Sequence, residues 1–586
     1  MTDPSPIPPP APGISVLIMT RDEEINIGAC LRGMMFSDDV VVLDDNSADG
    51  TLGIVKTFPG VRVVQRTLDN WAAQQNWALE TIAFKHRWVF QIDADERMTP
   101  ELRDELLAIA ADPQDPRVAY YVGRKNYFMG RWLKHAMGPV KVLRFFQPPF
   151  VRYERLVNPA PVIRGPSGEL RNYALHYSFS KGLVPWLSKH NSYARFEAME
   201  GQKVRQGSGH TLRSDLRALF QGGPEHRQAV KRLSYRLPGR AVQRFAYTYL
   251  MRCGFLDGLP GLRFCLMIAM YEYWIELKLI EARHDWAAGT RACARRFMDD
   301  PPPARAPLVE VLILTLNEAR HIAETVANAR SVGPVFVLDS HSTDGTQELA
   351  RRAGATVVEH DFAGYGPQKN WALDNLPFQG SWVFILDADE RITPAVADEV
   401  RAVAQGAGPA QGYYVNRLMI FMGQPIRHGG LYPSWNLRFF RRGACRYEER
   451  SVHEHMICRG PTQRLRHRLI HIRDEDMTRY IDKHIHYADL ESDEWVRGRF
   501  GPRTAPSGAP RDRVWYRRVL RRRLWPRVPL RPLCRFLYMY LFRLGFLDGR
   551  AGWHMAMLMA SYEYMISLLY REKLSRLLAS RGPGGT

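Results

Sequence analysis

Short runs of apolar, largely β-branched residues punctuate this chain, as in Val16-Leu17-Ile18, Val40-Val41-Val42-Leu43 and Trp88-Val89-Phe90-Gln91-Ile92. Between them lie stretches such as Pro100-Glu101-Leu102-Arg103-Asp104-Glu105-Leu106-Leu107, where apolar residues return at the spacing of one helix face. Buried strand alternating with helix predicts an α/β fold on a mostly parallel, Rossmann-like sheet. In such sheets ligands gather at the carboxyl ends of the strands, and the acidic motifs of this sequence fall at those ends.

The pattern occurs twice, at an offset of about 290 to 295 residues. SVLIMTRDEE at 15–24 answers EVLILTLNEA at 310–319, and VVLDDNSADGT at 41–51 answers FVLDSHSTDGT at 336–346. QQNWAL at 74–79 answers QKNWAL at 368–373, and WVFQIDADERMTP at 88–100 answers WVFILDADERITP at 382–394. YFMG and IFMG follow, then LRFF twice, and finally RFAYTYLMRCGFLDG at 244–258 against RFLYMYLFRLGFLDG at 535–549. Order and spacing together identify a tandem duplication. The expected organisation is a disordered Pro-rich tail (1–12), a first module (13–200), a basic amphipathic helical segment (201–298), a Pro-rich linker (299–307), a second module (308–495) and an Arg-rich amphipathic helical segment (496–580).

With 586 residues there is length for two modules that each bury a core, and 45% apolar with 24% charged residues is an ordinary globular balance. The N-terminal MTDPSPIPPPAPG has neither a basic nor an apolar region of signal-peptide type, so a cytoplasmic location is expected. Seven cysteines without CxxC spacing are expected to be reduced thiols rather than a disulfide framework or zinc site. The net charge of +20 calls for a phosphate-bearing partner, nucleic acid or anionic lipid.

Two sets of acids carry the candidate chemistry. Asp93-Ala94-Asp95 and Asp387-Ala388-Asp389 each follow an apolar strand, where paired carboxylates can hold one hard divalent cation and through it a diphosphate. The competing reading is helix capping, for which Thr99-Pro100 and Thr393-Pro394 are also suited. Asp44 and Asp339 close a second strand and can accept from a nucleobase NH or a ribose hydroxyl. Asp49-Gly50 and Asp344-Gly345 after them read as turns.

Taken in order, Thr-x-(Asn/Asp)-Glu (Thr20 to Glu23, Thr315 to Glu318), Asp-x-x-Ser-x-Asp-Gly-Thr, Gln-x-Asn-Trp-Ala and Asp-Ala-Asp-Glu-Arg resemble glycosyltransferase family 2. Each half is most similar to the bacterial branch that includes lipopolysaccharide-core glucosyltransferases. The resemblance implies a GT-A fold, a nucleotide-diphosphate sugar donor, Mg²⁺ or Mn²⁺ on Asp93, Asp95, Asp387 and Asp389, and inversion at the anomeric carbon. It assigns donor contacts to Thr20, Glu23, Asp44, Asp49, Gln74, Asn76 and Asp93, and to Thr315, Glu318, Asp339, Asp344, Gln368, Asn370 and Asp387. Inversion needs a general base for the acceptor hydroxyl. In the second copy Val452-His453-Glu454-His455 resembles the family's Val-His-Glu segment, which makes Glu454 the candidate. The first copy has Asn158-Pro159-Ala160 there, so either Glu154, matched by Glu448, substitutes or the first copy is impaired. His176, Lys189, His190 and Tyr193, with His471, Lys483, His484 and Tyr487, are expected either to contact acceptor or diphosphate or to form a polar helix face.

Each copy ends in a basic segment and then an aromatic, aliphatic one. In the second, arginines from Arg511 to Arg535 precede Phe536-Leu537-Tyr538-Met539-Tyr540-Leu541-Phe542. The longest uncharged runs, 264–271 and 551–562, are too short to span a bilayer, for which about 20 residues are needed. A helix lying on an anionic leaflet fits better than nucleic-acid binding, for which no recognition motif is present. The expectation is therefore a bifunctional transferase peripheral to the inner face of the cell membrane, acting on a lipid-linked or polysaccharide acceptor. The alternatives are a first module that only binds or scaffolds, and a basic nucleic-acid-binding protein on a transferase-like fold.

Overall fold

The structure is a computed structural model, and it describes residues 13–138, 140–154, 160–207, 212–218, 239–298, 308–406, 408–448, 456–500 and 530–580, together with 229, 233, 235, 525 and 528. The chain divides into two compact units, Met1–Leu279 and Ile280–Thr586.

In the first unit the strands are β1 (Ile14–Thr20), β2 (Val40–Asp44), β3 (Val61–Gln65), β4 (Trp88–Asp93), β5 (Glu96–Arg97), β6 (Ala119–Phe128), β7 (Arg131–Trp132), β8 (Val140–Phe146), β9 (Val151–Glu154), β10 (Ala160–Ile163) and β11 (Ser167–His176). The main sheet runs β3-β2-β1-β4-β8-β6-β11-β5, with β7 on β6. β3, β2, β1 and β4 are parallel, β8 is antiparallel to both β4 and β6, and β6 and β11 are parallel again, so the sheet is mixed. The parallel part is buried on both faces, which is why its strands read as unbroken apolar runs. Val16, Ile18, Val42 and Phe90 pack with α1 (Ile27–Met34), α2 (Thr51–Val55) and α4 (Pro100–Ala111). Leu17, Val41, Leu43 and Val89 pack on the other side with α3 (Trp71–Thr81). Thr99 caps α4 by accepting from Leu102 N at 3.2 Å, with Pro100 in the first turn, so the cap is made without the acids that precede it.

The second unit repeats this topology with β12 (Val309–Thr315), β13 (Val335–Asp339), β14 (Thr356–Glu359), β15 (Trp382–Asp387), β16 (Glu390–Arg391), β17 (Gly412–Phe421), β18 (Gln424–Ile426), β19 (Ser434–Arg441), β20 (Cys445–Tyr447), β21 (Met456–Cys458) and β22 (Thr462–Arg473). Here two of the cysteines are not the free thiols expected from the sequence. Antiparallel pairing of β20 with β21 sets Cys445 opposite Cys458, Cα atoms 4.0 Å apart, and they are joined as a disulfide. Cross-strand opposition across a hairpin is set by register, which a separation of 13 residues does not announce. The corresponding pair in the first unit is Val151 and Ile163.

The module boundaries also move. Residues 280–298, expected to close the first module, belong to the second unit. Their helix, Trp286–Arg295, is fixed there because Arg291 reaches the fully buried Asp474 at 2.6 Å and Thr290 accepts from Gly423 N at 3.0 Å. The helices Leu183–Gly207 and Met477–Phe500 run through the boundaries expected near 200 and 495. The tail 1–12, the linker 299–307 and the arginines from 511 to 527 lie outside the described residues. Arg531 does not face outward but lies over Trp495 at 4.3 Å and donates to Ser567.

Each unit carries a helical hairpin. In the first, a helix (Arg240–Phe245) and a π-turn (Ala246–Met251) lead through a 3₁₀ turn (Gly254–Asp257) into a long helix (Gly258–Glu281). The second repeats it with Arg531–Leu537, Tyr538–Phe542, Gly545–Asp548 and Gly549–Ser580. Among the described residues no single helix is long and apolar enough to cross a membrane. The pair Arg240–Met251 and Gly254–Glu281 passes only jointly, and it is bent by 73°.

Candidate active site

The register of the parallel strands assembles the site. Thr20 lies beside Asp44 on the neighbouring strand, and Met19 beside Asp93 on the other side, so the ends of β1, β2 and β4 are level. Strand order reverses around β1, which opens a crevice at these carboxyl ends. The second unit places Thr315 beside Asp339 and Leu314 beside Asp387 in the same way.

Asp44 and Asp339 are fully buried, each receiving the amide and hydroxyl of the serine three residues on. Asp339 also accepts from Thr315 Oγ1 at 2.8 Å and Gln347 Nε2 at 2.7 Å. Burial pushes the Asp339 carboxyl up, but these donors outweigh it and hold it below the ordinary carboxylate range. Asp49 and Asp344 serve the loops themselves. Each accepts from the following threonine and from a backbone amide of the loop after the first strand, Glu24 N at 3.1 Å and Ala319 N at 3.0 Å. Both carboxylates, expected to touch donor, lace the crevice wall.

The Gln-x-Asn pairs are likewise engaged by protein. Asn76 donates to Tyr153 O at 2.9 Å and accepts from Tyr153 N at 2.8 Å, and Asn370 does the same with Tyr447 at 3.0 and 2.9 Å. Gln74 accepts from Arg66, and Gln368 bonds His360 and Ser340. These amides, expected as donor contacts, bind the helix Trp71–Thr81, and its counterpart Tyr365–Asn375, to the strands and loops beside them.

The carboxylates of each Asp-Ala-Asp go to different partners. Asp93 pairs with the buried Arg144 of β8, which also reaches Glu96 at 3.0 Å, and Arg124 adds a contact to Glu96 at 3.2 Å. Asp387, Arg438, Glu390 and Arg417 form the same network, with Arg417 2.9 Å from Glu390 and 3.7 Å from Asp387. Burial raises the Asp387 carboxyl, but the Arg438 guanidinium overrides this and drives it far below the usual range. Asp95 and Asp389 instead meet imidazoles at the ends of β11 and β22, His176 Nε2 at 3.4 Å and His471 Nε2 at 3.0 Å. Against burial, His176 and then Lys189 hold Asp95 down to about 2. His471 with Arg473 and Lys483 holds Asp389 lower still. His176 Nδ1 faces Asn126 Oδ1 at 2.7 Å, which fixes the ring.

Arg144, Arg438, His176 and His471 complete the acidic end of the crevice. The repeated LRFF holds both arginines, but nothing in its spacing points to the acids, and the histidines were expected either to contact acceptor or diphosphate or to form a polar helix face. His190 and His484 prove to be helix-face residues. Each donates Nδ1 to the carbonyl four residues back, Trp186 O and Tyr480 O, and stacks on that residue's ring.

Glu23 and Glu318 border Asp95 and Asp389. Burial, with a contribution from Asp95, raises Glu23 although Lys181 lies 2.6 Å away, and burial with Asp389 pushes Glu318 up to about 7. Glu154 stands exposed at the end of β9, and Glu448 is partly buried. Glu454 lies outside the described residues, as do Asn158 and Pro159.

Mg²⁺ or Mn²⁺ fits this donor set, because Asp95 and Asp389 are kept ionised next to an imidazole nitrogen. Among the described residues no group of three or more acidic, histidine or cysteine side chains is arranged to hold a metal ion by itself. A cation held by Asp95 with His176, or Asp389 with His471, would therefore take its other ligands from diphosphate oxygens and water.

Comparison with known proteins agrees with this architecture. The profile of "Glycosyl transferase family 2" matches residues 15–171 and again 310–471. The lipopolysaccharide core biosynthesis glycosyltransferase LpsC of Rhizobium meliloti (strain 1021) is 28% identical over 202 residues, which is 33% of this chain and 74% of LpsC. An uncharacterized glycosyltransferase, RT0209 of Rickettsia typhi, is 30% identical over 148 residues, 25% of this chain and half of that protein. Among solved structures, residues 1–349 of TarS from S. aureus align at 14% identity with a TM-score of 0.24, over 46% of this chain and 91% of that one. Glucosyl-3-phosphoglycerate synthase from Mycobacterium tuberculosis, solved with Mn²⁺, UDP and glucosyl-3-phosphoglycerate, aligns at 22% identity with a TM-score of 0.17, over 23% and 48%. With the family profile matched twice in succession, the chain belongs to glycosyltransferase family 2, as two tandem modules.

Proposed function

We propose that both modules transfer sugars from nucleotide-diphosphate donors, with inversion and with Mg²⁺ or Mn²⁺, onto a lipid-linked surface glycan such as a lipopolysaccharide core or an exopolysaccharide, at the anionic inner face of the cell membrane. The observation that carries this reading is the same acid set, in both units, at the carboxyl ends of the two strands that flank the first strand of the unit: Asp44 opposite Asp93 and Asp95 across β1, and Asp339 opposite Asp387 and Asp389 across β12. In this reading Asp44 and Asp339 receive the nucleoside, for which a carboxylate at the end of the second strand is suited. The cation held at Asp95 and Asp389 would neutralise the departing diphosphate. Lys189 and Lys483 supply further positive potential there, while Glu454 and, in the first module, Glu154 are the proposed bases. The likeness to LpsC, a glycosyltransferase of lipopolysaccharide core biosynthesis, supports a lipopolysaccharide-type acceptor.

Turnover of a nucleotide-sugar panel by the full chain tests this. Activity should require divalent metal and vanish in the Asp95→Ala, Asp389→Ala double variant, and unchanged activity there would overturn the assignment. The acceptor-half difference, Asn158-Pro159 against His453-Glu454, favours a second reading in which the first module only binds. That version requires Asp389→Ala alone to abolish turnover and Asp95→Ala alone to leave it intact.

A further inference from the structure

The helical hairpins end in tips that their own modules do not cover. In the first unit Tyr247, Leu250, Met251, Phe255, Leu256 and Leu259 are exposed, and in the second Tyr538, Leu541, Phe542, Leu544, Phe546 and Leu547. Met251 is 76% and Phe542 78% exposed, more than a monomer gains from displaying such side chains. Five of these positions correspond between the copies, as Tyr247 with Tyr538, Leu250 with Leu541, Met251 with Phe542, Phe255 with Phe546 and Leu256 with Leu547.

Folding explains the other residues of the shared GFLDG motif. Gly254 and Gly545 admit no side chain, since a Cβ would lie 2.6 Å from Thr248 O or 2.7 Å from Met539 O. Gly258 and Gly549 take φ of +67° and +59°. Asp257 is buried and accepts from the amides of Lys134, His135 and Ala136 at 3.1, 2.9 and 2.8 Å, and Asp548 from those of Arg427 and His428 at 3.1 and 2.8 Å. Phe255 and Phe546 set an edge against Tyr249 and Tyr540, ring centroids 6.1 and 6.2 Å apart, yet with Leu256 and Leu547 they remain exposed. They are apolar twice and exposed twice.

Charge indicates the occupant. From 240 to 262 the charged residues are Arg240, Arg244, Arg252 and the buried Asp257, and from 530 to 562 they are Arg531, Arg535, Arg543, Arg550 and the buried Asp548. Arg244, Arg543 and Arg550 are exposed beside the tips, so each tip is apolar, aromatic and cationic at its rim. That combination matches the boundary of acyl chains and anionic headgroups. The legs of the hairpins stay with protein. Lys278, buried in the helix Gly258–Glu281, donates to Asn191 Oδ1 at 2.6 Å, and Tyr562 of the corresponding helix donates to Glu491 at 2.9 Å. The contact is thus an insertion of tips rather than a span.

We propose that these two tips are the membrane-docking elements of the protein and enter the surface of an anionic phospholipid bilayer. This rests on the proposed action at a membrane surface and assigns that role to the tips rather than to an amphipathic helix lying along the leaflet. In the first unit the tip also leans on the site. The loop bonded by Asp257 continues to Leu133, whose amide meets Asn126 O at 3.0 Å, and Asn126 fixes His176 beside Asp95. Docking would then orient the acidic crevice toward acceptors held at that surface.

The test is flotation of the full chain with vesicles of phosphatidylethanolamine and phosphatidylglycerol at about three to one, compared with phosphatidylcholine vesicles. The chain should float with the anionic vesicles, and a Met251→Ser, Phe255→Ser, Phe542→Ser, Phe546→Ser variant should bind at least about tenfold more weakly. Its thermal unfolding and metal-dependent hydrolysis of nucleotide sugar in solution should match the parent. Unchanged flotation of the variant, or equal binding of the parent to both vesicle types, overturns the proposal. So does a parent that does not float but forms tip-dependent oligomers by light scattering, since the tips would then be a protein interface. Failure of the transferase reading looks different, as flotation with no donor turnover in the parent.

Discussion

Replacing Arg438 by methionine removes one of two guanidiniums from a set of four charges in which Arg438 and Glu390 are buried and Asp387 and Arg417 partly exposed. Arg438 is 6% exposed and holds Asp387 and Glu390, and Arg417 is the other guanidinium within reach of both acids. Methionine fills much of the volume, so the cost is electrostatic: Asp387 and the fully buried Glu390 would share Arg417, with Lys369 as the remaining cation acting on Asp387. Breaking a buried pair from one side costs about 3–5 kcal/mol, because an uncompensated charge stays behind. In a domain of this size that lowers the unfolding midpoint by on the order of 10 °C.

Thermal unfolding of the full chain measures the loss, and amide exchange along β15 and β19 locates it. Adding Asp387→Asn to the Arg438→Met chain should restore part of the stability, with a coupling of about 2 kcal/mol or more between the two sites. A variant within about 1 kcal/mol of the parent would refute the reasoning, because the four charges would then not depend on one another. Protection lost elsewhere but kept on β15 and β19 would refute it equally.

Three further outcomes are expected. Burial pushes His190 and His484 down to about 4, so both are neutral in the fold at neutral pH while unfolded histidines take up protons below about 6.5. Their contribution is therefore complete above that pH and is lost as pH falls toward 4, by about 2–3 kcal/mol each, and His484→Phe should flatten the acid limb of a stability-against-pH curve. Glu318, raised to about 7 by burial and Asp389, has the opposite slope: it weakens the fold as pH rises from its unfolded value through 7. Glu318→Gln should thus add about 1–2 kcal/mol at pH 8 in denaturant titrations and nothing near pH 4, with a uniform effect across pH refuting the assignment. Asn370→Ala deletes both bonds to the Tyr447 backbone and should speed exchange of the Tyr447 amide by about a hundredfold, corresponding to two unmade buried hydrogen bonds. If the main effect is instead a weaker donor KM with unchanged exchange, Asn370 is a ligand contact after all.

The parts of this molecule that could be read in the sequence are those governed by local pattern. β1, β2 and β4 are apolar on both faces because helices cover both, and Asp44, Asp93 and Asp95 stand out because ionisable groups follow such strands directly. What stayed hidden depends on partners far along the chain. Arg144 lies 51 residues beyond Asp93, Tyr153 lies 77 beyond Asn76, and Cys458 meets Cys445 only through hairpin register. Motif residues such as Asn76 and Asp49 satisfy backbone groups of the crevice wall, and no spacing rule separates that duty from holding a ligand.

The same limit explains how the copies differ. Their strand-end acids coincide, yet Lys181 lies 2.6 Å from Glu23, whereas the segment following His471 in the second copy reads Arg473-Asp474-Glu475-Asp476. There Asp474 is drawn to Arg291 and His321, Arg473 pairs with Glu475, and Glu318 is left to rise under burial and Asp389. The position of Asn126, which orients His176, is taken in the second unit by a methionine, Met419, beside His471. Divergence thus falls on the groups that set charge and orientation around the second carboxylate of each Asp-Ala-Asp, while the carboxylates themselves are kept.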